Sequence, residues 1–347
     1  MSGIVLVTGG AGFIGSHVVD ALVSEGSGVR VIDSLHRAAH AERPGYLNPG
    51  AEYVFADVRD VESVQRCLDG VTAVSHQASM VGLGTDLGDV RDYVEHNDLG
   101  TAALLLALHR RGFSGRLVLG SSMVVYGEGG YRCPEHGNVR PAPRPRERLT
   151  AGTFDPPCPE CGRDLTARSI SETETTDPRN VYAATKLHQE HLCTTFARES
   201  GASLAVLRYH NVYGPRMPKD TPYAGVASIF RSAIETRSAP RVFEDGGQLR
   251  DFVHVRDIAQ ANLRALGGAP GVFNIASGDP HTVREMADAL AEADGNGVRP
   301  VVTGEFRLGD VRHIFASIDR ARSELGYAPA VDFEDGMREF ATAPLRN

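Results

Sequence analysis

The chain has 347 residues, of which 41% are apolar and 23% charged, a composition typical of one large or two fused α/β domains. Its formal net charge of −8 argues against general binding to nucleic acid or to anionic membranes. The sequence contains no apolar run long enough for a membrane span or a signal sequence, so we expect a cytoplasmic protein. The five cysteines, an odd number, favour thiols or metal ligands over a disulfide framework.

The first predicted elements are a strand, a glycine-rich turn and a helix. Ile4–Thr8 is a short apolar run, and Gly-Gly-Ala-Gly-Phe-Ile-Gly follows at 9–15. Gly9 permits a tight turn, Gly12 lets backbone amides approach a pyrophosphate, and Gly15 permits close packing of the helix on the strand. The pattern predicts a dinucleotide-binding site at the start of the first helix.

The next predicted strand covers residues 29–33 and ends in an acidic residue. Asp33 lies eighteen residues after Gly15, about where a carboxylate meets the adenine ribose of a dinucleotide. A carboxylate there repels a 2′-phosphate, which favours NAD over NADP. His36 and Arg37 follow closely and weaken that preference.

Strands and helices continue to alternate along the chain. Strand patterns occur at 53–56, 73–77 and 116–120, and a helical pattern covers about 99–111. This alternation predicts a Rossmann-type doubly wound parallel sheet, in which ligands bind at the carboxyl ends of the strands. A single residue at such a position is more often structural than functional. As a set, however, we expect the following residues to line the cofactor cleft: Asp57, Val58, Gln77, Ala78, Ser79 and Asn97.

A further motif is a tyrosine and a lysine that lie four residues apart, in a chain with only two lysines and 34 arginines. On a helix, Tyr182 and Lys186 share a face, so the ammonium can approach the phenol and favour its ionised form. Ser122 ends a predicted central strand and is the candidate hydroxyl partner of Tyr182. The pair alone arises by chance fairly often; the three residues together predict catalysis.

A segment of about 55 residues separates Gly127 from Tyr182, which is long for a loop without its own organisation. It contains Cys-Pro-Glu-His and Cys-Pro-Glu-Cys motifs, 21 residues apart. Their spacing predicts a closed, structural Cys3His zinc site, the alternative being unrelated thiols in a flexible loop. The predicted ligands are Cys133, His136, Cys158 and Cys161. The proline-rich run 139–146 between them is expected to be extended.

Taken together, these motifs resemble the extended short-chain dehydrogenase/reductases, in the branch that modifies nucleotide sugars. The resemblance covers most of the chain. It implies a Ser–Tyr–Lys catalytic group, a tightly bound NAD and a smaller C-terminal region that binds the nucleotide sugar. The motifs that carry it are 8–15, Ser122 with 126–127, 182–186, 207–215, 250–257 and 307–310.

The resemblance also implies roles for individual residues. The catalytic group is Ser122, Tyr182 and Lys186. The expected cofactor-binding residues are Gly9, Gly12, Phe13, Ile14, Gly15, Asp33, Asp57, Val58, Gln77, Ala78, Asn97, Tyr182, Lys186 and Tyr209. The expected substrate-binding residues are Ser79, Ser122, Met123, Asn211, Arg250, Arg307 and Asp310. Two of these are arginines, whose forked guanidinium suits phosphate oxygens.

The reaction type is narrowed by the residues that follow Ser122. Dehydratases of this branch carry an Asp-Glu pair there, whereas this chain has Met123 and Val124, which cannot transfer protons. We therefore predict 4-epimerisation, with the narrower resemblance pointing to the dTDP-L-rhamnose 4-epimerase group. The alternatives are a UDP-galactose or UDP-glucuronate 4-epimerase, a decarboxylase or dehydratase, and a catalytically silent NAD-binding regulatory protein.

The expected architecture is a sheet of six or seven mostly parallel strands and a smaller C-terminal α/β region. Residues 1–210, with a returning segment at about 236–262, are predicted to bind NAD and to carry the zinc insert at 128–172. Residues 211–235 and 263–347 are predicted to bind the nucleotide sugar. The family resemblance implies a homodimer formed through helices at 97–111 and 182–198.

Overall fold

A parallel sheet of seven strands forms the centre of the computed structural model, which describes residues 3–37, 39–82, 87–219 and 225–346. In space the strands run β3-β2-β1-β4-β5-β6-β7, and every neighbouring pair is parallel. The predicted Rossmann-type sheet is confirmed. The strands are β1 (Ile4–Thr8), β2 (Gly28–Asp33), β3 (Glu52–Phe55), β4 (Val71–His76), β5 (Arg116–Ser122), β6 (Ser203–Tyr209) and β7 (Gly271–Ile275).

Helices cover both faces of this sheet, as its apolar strands require. They are α1 (Phe13–Ser24), α2 (Val61–Cys67), α3 (Gly100–Arg110), α4 (Val181–Ser200) and α5 (Val255–Gly267). Helices α1 and α5 pack together in one apolar core, and α2, α3 and α4 contribute to a second core on the opposite face. A short helix at Val90–Tyr93 and a π-helical segment at Val94–Leu99 lead directly into α3.

The strand that completes the sheet lies later in the chain than the sequence suggests. We expected segment 236–262 to return to the sheet, but the seventh strand is β7. Strands Arg241–Val242 and Leu249–His254 of that segment pair outside the large sheet. The chain must first cross the sheet through α5 before a parallel strand can join β6, so the pairing strand comes after the helix.

The insert between β5 and α4 has its own small antiparallel sheet. Strand Gly130–Cys133 pairs with Gly137–Val139 on one side and with Thr166–Arg168 on the other. Residues 140–145, within the proline-rich run, form neither helix nor strand, and a short helix follows at Arg146–Thr150. The insert is therefore an organised unit.

Most of the remaining elements build the smaller region around a third apolar core, while the helix Asp319–Leu325 packs against β7 and α5 in the first core. No helix among the described residues is long and apolar enough to cross a bilayer. The helices of the region are Val226–Glu235, Val283–Asp294, Asp319–Leu325 and Phe333–Thr342, and its strands are Asn211–Tyr213, Arg241–Val242, Leu249–His254, Pro280–Thr282 and Val301–Val302.

Candidate active site

The glycine-rich turn joins β1 to α1 at the carboxyl edge of the sheet and contains Gly9, Gly12, Phe13, Ile14 and Gly15. Gly9 has φ +70°, a conformation that favours glycine. A Cβ on Gly15 would lie 2.1 Å from the Gly9 carbonyl oxygen, so only glycine allows this close approach. The turn leaves the first amides of α1 facing outwards, where a pyrophosphate binds in such folds.

Asp33 ends β2 beside this turn, and its carboxylate is held by two backbone amides. Oδ2 accepts from the Ala11 amide at 3.0 Å and Oδ1 from the Leu35 amide at 2.8 Å. The Tyr46 hydroxyl donates to the Ala11 carbonyl at 2.8 Å from the other side. The carboxylate is thereby fixed at the expected ribose position.

Asn97 organises the loop after β4. Its side chain is fully buried and accepts hydrogen bonds from the Met80 amide at 2.7 Å and the Ser79 hydroxyl at 3.0 Å. Its amide group donates to the Met80 carbonyl and to Thr185 on α4, both at 3.0 Å. Asn97 therefore ties the Ser79 loop to the helix that carries Tyr182.

Other predicted cofactor residues belong to hydrogen-bond networks at the same edge. The Tyr209 hydroxyl donates to Gln77 Oε1 at 3.2 Å and accepts from Asn262 Nδ2 on α5 at 2.8 Å. The Ala78 amide donates to the Thr8 hydroxyl at 3.1 Å, close to Gly9. Further out, Asp57 pairs with Arg59 at 2.7 Å, and Val58 packs beneath α3 at Gly100.

The catalytic candidates meet where α4 begins. The Asn180 side chain caps α4 by accepting from the Ala183 amide at 2.8 Å, which places Tyr182 in the first helical turn. The Tyr182 phenol lies near Ser122 at the end of β5, close enough for the Ser122 hydroxyl to lower the phenol's pKa. One helical turn later, the Lys186 ammonium donates to the Gly120 carbonyl at 2.6 Å.

Burial controls the ionisation of this group. It raises the pKa of the Tyr182 phenol well above its ordinary value, and the nearby Ser122 hydroxyl opposes that rise. Burial also lowers the pKa of Lys186 to about 8, against the attraction of Glu190. The phenol is therefore neutral at pH 7, and the Lys186 charge that we expected to ionise it is directed to a backbone carbonyl. Ionising the phenol requires further positive charge at the site.

A buried ion pair lies behind Lys186, and sequence reasoning missed it. Glu190 Oε2 pairs with Arg208 Nη2 at 2.7 Å, and Glu190 Oε1 accepts from the Ser121 hydroxyl at 2.5 Å. The Arg208 guanidinium also stacks 4.7 Å above the Tyr126 ring. The signal was present, since Glu190 lies four residues after Lys186 and therefore on the same helix face.

A comparison with family models decides the relationship of this chain. The model described as the NAD dependent epimerase/dehydratase family matches residues 5–148 and 155–276, which together are more than half of the chain. The chain belongs to this family. The resemblance drawn from the motifs is confirmed, as is the expectation of an epimerase-type enzyme.

Full-length relatives support the assignment. The dTDP-L-rhamnose 4-epimerase of Burkholderia thailandensis is 34% identical over 346 residues, covering 97% of this chain and 94% of that protein. The crystal structure of UDP-glucose 4-epimerase from Thermotoga maritima with UDP-glucose has a TM-score of 0.79 and 30% identity, covering 97% of both chains. That of the Thermus thermophilus UDP-glucose 4-epimerase complex with NAD has 0.78 and 31%, again covering 97% of both.

The family's expected substrate residues lie in the smaller region and at β5. The Arg250 guanidinium donates to the carbonyls of Val311 at 2.7 Å and Arg312 at 2.9 Å, which orients it along the turn that follows Arg307. Arg307 stacks 5.0 Å from the Phe243 ring, and the Asp310 amide closes the turn on the Arg307 carbonyl at 3.3 Å. Three of the expected diphosphate and nucleoside ligands thus belong to one connected surface.

Three more predicted substrate residues follow the carboxyl ends of β4, β5 and β6. Asn211 Oδ1 is buried without a hydrogen-bond partner in the described part of the chain. Met123 packs partly buried against the main core in the 3-10 turn after Ser122. Ser79 is held by Asn97.

The Cys/His motifs of the insert converge. One ligand atom from each of Cys133, His136, Cys158 and Cys161 lies within 4.8 Å of the others. The Cys133 sulfur is 3.7 Å from the Cys161 sulfur, and His136 Nδ1 is 3.5 Å from Cys133 and 3.6 Å from Cys158. Tetrahedral zinc with standard bond lengths requires edges of about 3.8 Å between sulfurs and about 3.6 Å between sulfur and nitrogen. These three separations match that geometry, and the other separations among the four donor atoms are no longer than 4.8 Å.

A buried charge cluster joins the insert to the smaller region, and it too was missed from the sequence. Arg144 donates to both Glu244 oxygens at 3.0 and 2.8 Å, and Arg312 donates to Glu244 Oε2 at 2.9 Å. The second nitrogen of Arg144 also donates to the Asp310 carbonyl at 2.8 Å. Among so many arginines, no sequence spacing distinguishes these two, because their partner lies 68 to 100 residues away.

Proposed function

We propose that the protein is an NAD-dependent nucleotide-sugar 4-epimerase whose substrate is a dTDP-hexose such as dTDP-L-rhamnose. The observation that carries the reaction is the convergence of Ser122, Tyr182 and Lys186 where β5 ends and α4 begins, at the sheet edge that carries the glycine turn. The 34% identical dTDP-L-rhamnose 4-epimerase supports the substrate. UDP-sugars are the alternative, because UDP-glucose 4-epimerases are 30 and 31% identical.

NAD fits the residues present. The close approach of Gly15 to the Gly9 carbonyl and the Asp33 carboxylate held beside the turn support a pyrophosphate at the turn and an adenine ribose at Asp33. When bound, NAD supplies reversible hydride transfer at the sugar C4. The buried Tyr182 phenol needs further positive charge in order to ionise, which an oxidised nicotinamide would supply.

The chain's own residues handle the proton in this mechanism. Tyr182 accepts the proton of the sugar 4-hydroxyl, and Ser122 hydrogen-bonds the same oxygen. Lys186, positively charged in most molecules at pH 7, stabilises the phenolate. Tyr182 returns the proton to the sugar oxygen after the keto sugar has rotated, and C4 regains its hydride in the same step, so no net oxidation results. Arg250 and Arg307 bind the diphosphate of the substrate while the keto sugar rotates.

The local structure disfavours dehydration. Met123 and Val124 form the 3-10 turn that follows Ser122, and neither side chain can move a proton across two sugar carbons. A decarboxylase would need a dedicated cation for the substrate carboxylate, and the site gives no specific observation in favour of one. Epimerisation needs only the groups described above.

A substrate panel tests the proposal. The purified protein is incubated in deuterated water, without added cofactor, with dTDP-, UDP- and GDP-hexoses including dTDP-L-rhamnose. We expect an isomer of unchanged mass without deuterium at C4, read by mass spectrometry and proton NMR, because the hydride returns internally. Loss of water or carbon dioxide would indicate a dehydratase or decarboxylase, and no turnover of any sugar would favour the silent NAD-binding protein.

We further propose that the insert binds one structural zinc ion through Cys133, His136, Cys158 and Cys161. Besides the tetrahedral spacing, the amides of Glu135 and His136 hydrogen-bond the Cys133 sulfur. His136 Nε2 lies 3.7 Å from Glu160, which would orient the ring for coordination through Nδ1. Four protein ligands close the site, so the ion has a structural role.

Metal analysis tests the zinc site. Protein purified without chelator should contain about one zinc per chain, and Cys158→Ser should lose most of it because three ligands bind zinc much more weakly. Cys67→Ala is the control, since Cys67 is buried in the core beneath β2 and lies outside the cluster. An absence of zinc from the unaltered protein would contradict this proposal.

Two further expectations stay predictions. Helices α3 and α4 present Leu106, which is exposed, and several neighbouring apolar side chains on one outer surface. This surface supports the predicted homodimer. The predicted cytoplasmic location is likewise kept as a prediction.

A further inference from the structure

We propose that Arg346, near the end of the chain, binds a phosphate group of the dinucleotide cofactor. None of the sequence motifs includes this residue. The inference concerns cofactor binding alone and does not depend on the proposed sugar substrate or reaction.

The tail that carries Arg346 is anchored by backbone pairing. The Arg346 amide donates to the Met217 carbonyl at 2.9 Å, and the Lys219 amide donates to the Arg346 carbonyl at 2.7 Å. The tail thus forms a parallel bridge with the segment that follows β6 and the strand Asn211–Tyr213. Because these bonds use only backbone atoms, they fix the position of the side chain and survive its replacement.

This anchoring brings the guanidinium to the glycine turn. Arg346 Nη1 lies 3.9 Å from the point where a Cβ on Gly12 would be. Burial raises the pKa of Tyr46, whose hydroxyl donates to the Ala11 carbonyl of the same turn, and the nearby Arg346 charge opposes that rise. Burial lowers the pKa of His40, and the Arg346 charge lowers it further, which places His40 in the same neighbourhood.

The guanidinium has donors that the protein leaves unused. Arg346 Nε and Nη1 are buried, and neither has a hydrogen-bond partner in the ranges that the structure describes. Leaving buried charged donors unpaired is unfavourable. The start of α1 adds positive potential at the same place, so the arrangement disfavours a second cation unless an anion lies between them.

A phosphate resolves this conflict. A phosphate over Gly12 would accept from the α1 amides on one side and from the Arg346 fork on the other. The same chemistry comes from either of two groups, the pyrophosphate common to NAD and NADP or the 2′-phosphate of NADP. Asp33 beside the turn favours the pyrophosphate, because its carboxylate repels a 2′-phosphate.

Cofactor binding by Arg346→Ala tests the inference. The protein is stripped of nucleotide, and the affinities for NAD and NADP are measured separately by calorimetry, without any sugar. We expect the NAD dissociation constant to rise roughly 10- to 100-fold, the usual effect of losing a charge-assisted hydrogen bond. Arg346→Lys should recover part of the affinity, since it keeps the charge but loses the fork.

Arg338→Ala is the matched control. Arg338 lies on the helix Phe333–Thr342, is exposed and pairs only at the surface with Asp335 at 2.6 Å. Thermal unfolding without cofactor should be the same for both variants, which separates lost binding from lost folding. A weakening for both nucleotides identifies the pyrophosphate, and a weakening for NADP alone identifies the 2′-phosphate. Unchanged affinity for both nucleotides in a folded Arg346→Ala protein overturns the inference.

Discussion

Replacing Tyr182 by phenylalanine should reduce turnover by at least 10²- to 10⁴-fold while leaving NAD bound, which is the range for loss of a general acid-base group. The substitution removes only the hydroxyl that lies near Ser122, and it keeps the ring in the first turn of α4. Turnover and the bound nucleotide content of the same preparation should both be measured. An unchanged content of bound nucleotide would show that the loss of turnover is due to proton transfer and not to the cofactor site.

Tyr53→Phe is the control for this variant. Tyr53 lies on the edge strand β3, and its hydroxyl accepts a hydrogen bond from the Asn48 amide at 3.0 Å, away from Ser122 and Lys186. It should turn over at a near-normal rate. Near-normal turnover by Tyr182→Phe would remove Tyr182 from the mechanism, and the proton would then need another acceptor.

Replacing Glu244 by glutamine should lower the free energy of unfolding by roughly 3 to 5 kcal/mol, the usual cost of leaving buried partners of an ion cluster uncompensated. Glu244 is 2% exposed, and the side chain of Arg144 that it neutralises is 4% exposed. Arg312 keeps its pairs with Asp155 and Asp245, so the cost falls on Arg144. Glutamine has nearly the same shape, so the change in charge dominates. Urea denaturation of the two proteins measures the difference.

Glu305→Gln provides the comparison for that experiment. Glu305 pairs with Arg241 at 2.5 Å, but their side chains are 53% and 62% exposed, so water screens the pair. Such a pair contributes about 0 to 1 kcal/mol. Equal losses in the two variants would mean that Glu244 does not depend on burial for its effect. A loss confined to Glu244→Gln would establish the cluster as the joint between the insert and the smaller region.

The cluster also connects the insert to the expected substrate surface. Arg144 belongs to the insert and donates a hydrogen bond to the Asp310 carbonyl. The Arg312 carbonyl accepts a hydrogen bond from Arg250. A spacing pattern identified the Cys/His motifs, since their ligands are neighbours in the sequence. It could not identify Arg144 or Glu244, because their pairing depends on how two distant segments fold against each other.

The features that could be predicted from the sequence are all local ones. The glycine turn at 9–15, the acid at Asp33 and the pair Tyr182 and Lys186 are short-range patterns, and their geometry follows from one turn or one helix. The alternation of strands and helices likewise determined the parallel sheet, because each βαβ unit is local and has one hand. These features required no knowledge of distant contacts.

Contacts between distant segments of the chain became visible only in the folded structure. The strand that completes the sheet is β7 and not the segment that we predicted. Asn97 joins the Ser79 loop to α4 by hydrogen bonds. The fold also brings Arg346 to a turn more than 300 residues earlier in the chain. Hydrogen bonds and ion pairs of this kind carry no sequence period, because they form between segments whose proximity is set by the packing of the whole core.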